Sequence, residues 1–121
     1  MRTTLALIAG VAIGAVAIQG LNAQTAKPRV FMISESQIVN KDALPAYQKE
    51  LLPAIKAAGG TIHLSDRVVQ VLGDAPQRVG LTEFDSVDKA QAWIKGPERA
   101  KLGPERDKAV KILRQYIVEM Q

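Results

Sequence analysis

The chain of 121 residues contains no cysteine. Disulfides, thiolate metal sites, cysteine nucleophiles and an acylated N-terminal cysteine are therefore excluded. The absence leaves the compartment open, because oxidising compartments favour disulfides without requiring them. There is one histidine, His63, and a lone histidine without cysteine cannot build the usual zinc site, so no metal is expected. Aromatics are few, with one Trp, two Tyr and two Phe. Nucleic-acid surfaces cluster basic residues beside exposed aromatics. Here 16 basic and 12 acidic residues, net +4, are interleaved, as at Lys101, Glu105, Arg106, Asp107 and Lys108. A solvated mixed-charge surface is expected, and no nucleic-acid partner. The sequence also lacks a phosphate loop, a dinucleotide fingerprint and an EF-hand loop, so no cofactor is expected.

One apolar run is present, and it lies at the N-terminus. Met-Arg-Thr-Thr precedes an apolar stretch from Leu5 to Ile18, and Gln-Gly-Leu-Asn-Ala follows. A short positive region, an apolar core and a small residue before a polar stretch describe a secretory signal over residues 1–23, cut after Ala23. The run is shorter than the roughly 20 apolar residues a spanning helix needs, and Gly10 and Gly14 weaken it as a helix. Cleavage predicts a periplasmic or secreted product with no membrane contact; an uncleaved signal anchor is the alternative. Residues 24–28 read as a linker and 29–121 as a single domain. A domain this small buries only about two-thirds of the surface its unfolded chain exposes, so pairing with a second copy is physically favourable.

The mature chain alternates between two periodicities. Arg29–Val39 reads as a strand, with Val30, Met32 and Ser34 on one face and Phe31, Ile33 and Glu35 on the other. Asn40 and Asp42 are N-cap candidates. Leu44, Tyr47, Leu51, Leu52, Ile55 and Ala58 then form a helical stripe, with Pro45 in the first turn, Pro53 predicting a kink, and Gly59-Gly60 ending the helix. Thr61–Ser65 reads as a second strand, resumed after a bulge over Val68–Leu72. Gly73-Asp74-Ala75-Pro76 is a turn and Gln77–Phe84 a third strand. Ser86 caps a second helix whose stripe is Val87, Ala90 and Ile94, with Trp93 at the stripe's edge, packed either in the core or at a dimer edge. Gly96-Pro97 stops it, and Gly103-Pro104 opens a further helical stretch with Ala109, Val110 and Leu113 inward. Tyr116–Met120 is the last strand. The tetrad Gly-Pro-Glu-Arg occurs at 96–99 and again at 103–106, and reads as two helix starts.

This order, β-α-β-β-α-β with a broken second helix, predicts an α+β, ferredoxin-like domain: a four-stranded antiparallel sheet with helices on one face. The other face, left bare and apolar, predicts an interface. Two copies joined there would form a dimeric α/β barrel.

The run YQKELLPAIKAAGG from Tyr47 to Gly60, the segment Pro76-Gln77-Arg78-Val79, and Glu83-Phe84-Asp85-Ser86 followed by Lys89-Ala90-Gln91-Ala92-Trp93 resemble motifs of the domain-of-unknown-function 1330 family, and the spacing to Arg106 fits as well. The resemblance spans nearly all of residues 29–120. It implies a dimeric α/β barrel of the ferredoxin-like superfamily, and it implies Glu35, Tyr47, Arg78 and Arg106 as residues of a ligand pocket. Exported members with a similar Gly-Leu-x-Ala-Gln end are known from alphaproteobacteria, which implies a Gram-negative source. The chain departs from the family pattern at Asn40, at Gly59-Gly60-Thr61, at Ser65-Asp66-Arg67 and at Gly96-Pro97-Glu98-Arg99.

Residue chemistry narrows the functions further. His63 and Ser65 share a strand face with Asp66 next in sequence, but residues two apart on a strand stand about 7 Å apart by strand rise, too far for a catalytic triad. Glu35 and Glu83 sit on strands that neighbour each other in this fold; they form either an acid–base pair or two ion pairs with arginines such as Arg78 or Arg106. Tyr47 belongs to the core stripe, with a hydroxyl in need of a partner. Arg106 can grip a carboxylate ligand bidentately or serve a dimer salt bridge. His63 and Glu83 complete the candidates. The expected function is an exported homodimeric binding or dimerisation module for a small organic ligand, with a small organic acid as the candidate. A cofactor-independent isomerase or monooxygenase-like enzyme is the alternative.

Overall fold

The computed structural model describes residues 27–121; the leader expected over residues 1–23 and the first part of the linker lie outside them. Strand β1 (Arg29–Ile38) leads through a single turn at Lys41–Ala43 into helix α1 (Leu44–Ala57). Asn40 accepts the Asp42 backbone N–H at 3.0 Å, a side-chain cap of the kind the sequence predicts. Strands β2 (Thr61–Ser65) and β3 (Arg78–Phe84) follow, then helices α2 (Val87–Lys95), α3 (Pro97–Lys101) and α4 (Gly103–Ala109), and finally strand β4 (Val110–Met120). The described strands form one antiparallel sheet in the order β2-β3-β1-β4. This is the ferredoxin-like arrangement, with the second helix divided into three pieces.

The pleat decides what the helices cover. Val30 and Met32 of β1 and Phe84 of β3 face the helices and are buried there with Leu51 and Ile55 of α1 and Trp93 of α2. Of the two places open to Trp93, it takes the core. On α1 the buried stripe is Leu44, Tyr47, Leu51 and Ile55, while Leu52, one residue round the helix, is exposed. Pro53 does not break the helix, which runs on to Ala57. It stands on the exposed side, where water can satisfy the carbonyl that its missing N–H leaves free.

Three expectations need correction. No strand forms over Val68–Leu72. Pairing of β2 with β3 ends at Ser65 opposite Val79, and the Ser65 hydroxyl accepts the Arg67 N–H at 3.1 Å, turning the chain away from the sheet. Val69, Val71 and Leu72 are 83%, 92% and 95% exposed, so their β propensity has no ladder to join. The last strand starts at Val110, not Tyr116, because β1 offers pairing partners along its whole length. Within it the register shifts between Glu35 and Ser36 of β1, placing Ser36 opposite Ile112 and Glu35 opposite Arg114. Leu113 is the extra residue of this bulge and is exposed, not inward on a helix. The bulge changes the facing of everything after it: Ile112 and Gln115 both meet the helix layer, and Arg114 and Tyr116 go to the bare face.

Candidate functional site

Between sheet and helices, at the end where β1 finishes and β4 starts, the core gives way to a cavity of about 50 Å³. Its sheet wall includes Ser34 and Ser36 of β1, Arg78 and Gly80 of β3, and Gln115 of β4; Tyr47, Arg99 and Arg106 come from the helices. Gly80 keeps this wall low: a Cβ there would stand 3.2 Å from the Leu64 side chain.

Arg78 is the deepest charge, only 5% exposed. Its Nη1 donates to Asp66 Oδ1 at 2.6 Å, from the loop that leaves β2. Its Nη2 is buried and, among the described residues, has no hydrogen-bond partner. A buried guanidinium N–H without an acceptor is costly, by about 1–3 kcal/mol or more for a charged group, so the position reads as a site awaiting an acceptor. Arg99 is held by neutral partners: Nη1 donates to the Ile94 carbonyl at 3.2 Å and Nη2 to Gln115 Oε1. Gln115 Nε2 donates in turn to Ser34 Oγ at 2.6 Å. Burial, and then the positive charge of Arg106, push the Arg99 guanidinium below its ordinary range. Arg106 Nε reaches Asp107 at 3.1 Å on the outer side. Burial pushes the Tyr47 phenol up, against the pull of Arg106, Arg99 and Arg78. Tyr47 therefore stays protonated at neutral pH and can only donate or share its hydroxyl.

The cavity lining contains three arginines and no carboxylate. Below it, away from the sheet core, an open basin of about 660 Å³ is lined by Val39, Asp107 and Lys111, and it shares Arg99, Arg106, Val110 and Ile112 with the cavity.

The residues singled out from sequence divide into two groups. Tyr47, Arg78 and Arg106 line this cavity. Glu35, Glu83 and His63 do not; they lie on the opposite, bare face of the sheet. Glu35 accepts from Arg114 Nη2 at 2.8 Å and from the Tyr116 hydroxyl at 2.8 Å. Glu83 accepts from Arg29 Nε at 2.9 Å. Each glutamate is thus in an ion pair, with Arg114 and Arg29 and not with Arg78 or Arg106, and these hydrogen bonds hold both carboxyls below their usual range. His63 is exposed opposite Leu81, Ser65 Oγ is engaged with Arg67, and Asp66 is engaged with Arg78, so no triad assembles. Sequence reading missed Arg99 and Gln115. The doubled Gly-Pro-Glu-Arg tetrad carried the signal for Arg99, since it repeats the Arg106 context seven residues earlier. Among the described residues, no group of His, Asp and Glu side chains is placed to hold a metal ion, and no helix is long and apolar enough to cross a membrane.

Fold and cavity together define a ferredoxin-like α+β protein with an arginine-lined chamber between its layers. The chain belongs to the family named Domain of unknown function (DUF1330), whose model matches residues 29–120. Among curated proteins none matches it. It is similar in structure to RPA0582, a protein of unknown function from Rhodopseudomonas palustris, with TM-score 0.63 and 16% identity over 79% of this chain and 85% of that one. It is also similar to SnoaB, a cofactor-independent oxygenase from Streptomyces nogalater, with TM-score 0.58 and 5% identity over 78% and 94% of the two chains. A dimeric ferredoxin-like protein of unknown function from Thermobifida fusca matches with TM-score 0.54 and 13% identity over 78% and 91%. At these identities the likeness is one of fold.

Proposed function

We infer that this protein is an exported homodimeric module that binds a small organic acid through its arginine-lined cavity. The observation that carries the reading is the Arg78 Nη2 group, buried and without an acceptor, in a chamber whose lining has no carboxylate. A carboxylate there would accept from Arg78 and from the neutral Tyr47 hydroxyl, in the charge-assisted geometry that guanidinium favours. A volume of about 50 Å³ admits one acidic group of a few heavy atoms. The lining supplies donors and no base: its arginines are cations and Tyr47 keeps its proton. Binding is thus better supported than proton abstraction, and the resemblance to a cofactor-independent oxygenase remains one of fold.

A thermal-shift screen of short carboxylic acids tests this reading. Wild type should be stabilised by at least one acid, and Arg78→Met, which keeps the volume while removing the charge, should fold yet lose that response. An unchanged response in Arg78→Met would sink the reading.

Self-association is supported by the bare sheet face, where Phe31, Ile33, Leu81 and Val118 surround the Glu35–Arg114 pair, and by the dimeric state ascribed to the Thermobifida protein. Export is supported by the leader pattern of residues 1–23. Intact mass of the exported protein should begin at Gln24; a mass that includes Met1 would favour the anchored form.

A further inference from the structure

Arg99 and Arg106 line both the inner cavity and the outer basin, whereas Arg78, Tyr47 and Ser36 line the inner cavity alone. The chamber therefore has two cationic stations. The inner one is the unpartnered Nη2 of Arg78 beside the serines of β1. The outer one is the arginine pair at the junction with the basin. Two like charges brought together at one mouth repel, and burial penalises them further; no carboxylate is paired with Arg99 among the described residues, only the Ile94 carbonyl and Gln115. Arg106 has Asp107, which is itself largely exposed to water. Such a pair is most simply satisfied by an anionic group lying between the two guanidinium forks.

The stations also stand on different elements: Arg78 rises from β3, whereas Arg99 and Arg106 come from α3 and α4. Arg78 lies opposite Ser36 on β1, and Arg99 is tied through Gln115 to Ser34. The inner volume accepts one acidic group but not a whole chain, and a longer ligand would extend toward the basin, whose lining shares Arg99 and Arg106 with the cavity.

We propose that the ligand is a short diacid, with one carboxylate on Arg78 and the other held between Arg99 and Arg106. The proposal rests on the acid-binding reading above and names its substrate class. The tandem Gly-Pro-Glu-Arg tetrads then have a common purpose: each opens a short helix that delivers its arginine to the same acidic group.

Isothermal titration of the purified protein with succinate, glutarate, butyrate and inorganic phosphate tests it. Succinate or glutarate should bind at least about tenfold tighter than butyrate, the scale of one charge-assisted contact. It should also bind tighter than phosphate, which carries comparable charge but is too compact to span both stations. Arg99→Gln should cost the diacid at least about tenfold more affinity than it costs butyrate, bringing the two acids to similar affinity. Should that variant fail to fold, Arg106→Gln carries the same test. Equal affinity for diacid and monoacid in wild type, or phosphate binding best, would overturn the diacid assignment while leaving the acid-binding reading standing. Loss of butyrate and diacid binding alike in a folded Arg99→Gln would also overturn it, by making Arg99 part of a single station. Absence of binding by every acid in the series would remove both readings together.

Discussion

At the scale of single residues, Gly60 shows how tightly the core is packed behind the cavity wall, two of whose residues, Ile55 and Thr82, are its neighbours. A Cβ at that position would come within 2.8 Å of Ile55 Cγ2, 2.9 Å of Thr82 Cγ2 and 3.0 Å of Phe84 Cε1. All three neighbours are buried and fixed by packing, so none can retreat as a flexible surface chain would. Gly60→Ala should therefore destabilise the fold by about 1–3 kcal/mol, the usual cost of overpacking. Urea denaturation checks this; an unchanged midpoint would mean that the core yields more easily than its contacts indicate. The contrast with Gly80 is instructive. It stands on the same face of β3 as Thr82, but its bare backbone borders open volume, and the arginines gather there. Of those arginines, Arg78 and Arg106 were legible in the sequence through the family resemblance, as was Tyr47. Arg99 was not, because its tetrad satisfied a complete local explanation as a helix start.

At the scale of elements, legibility followed the locality of the cause. Helix α1 could be read because its stripe, its cap at Asn40 and its glycine end are all local. Strands β1 and β3 could be read because each alternates over seven residues or more. The misreadings arose where pairing decides. Val68–Leu72 has strand composition and no neighbouring strand to pair with. Residues 110–115 were expected to continue a helical stretch, but they pair with β1. The bulge at Leu113 is a property of two strands in register, and no inspection of either alone reveals it. Its effect on the site is direct, because it turns Gln115 toward Arg99 and Arg114 toward Glu35. Glu35 stands apart from this cavity for the related reason that its face, opposite to that of Ser34 and Ser36, is the bare one.

At the scale of the whole molecule, the bare face is the feature that a solitary protomer leaves unsatisfied. Sedimentation at micromolar concentration and neutral pH should show a homodimer; a stable lone protomer would remove the self-association proposed above. On that face Glu35 gives the folded state a pH dependence. Hydrogen bonds from Arg114 and Tyr116 hold its carboxyl below the usual range in the folded state. The stabilisation is therefore fully present above the unfolded carboxylate value of about 4.3, and it is lost as pH falls through the lower folded value. Acid unfolding of Glu35→Gln should lack this component of the pH response.

The first strand also sets an orientation. Arg29 is paired opposite Met120 at one end of the ladder, while the basin opens beside Val39 and Val110 at the other, some 30 Å further along β1 by strand rise. If the proposed leader were retained as an anchor, a protein held by the segment preceding Arg29 would hang with its mouth turned outward from its point of attachment. Solutes could then reach the arginines without first threading the crowded zone near the bilayer.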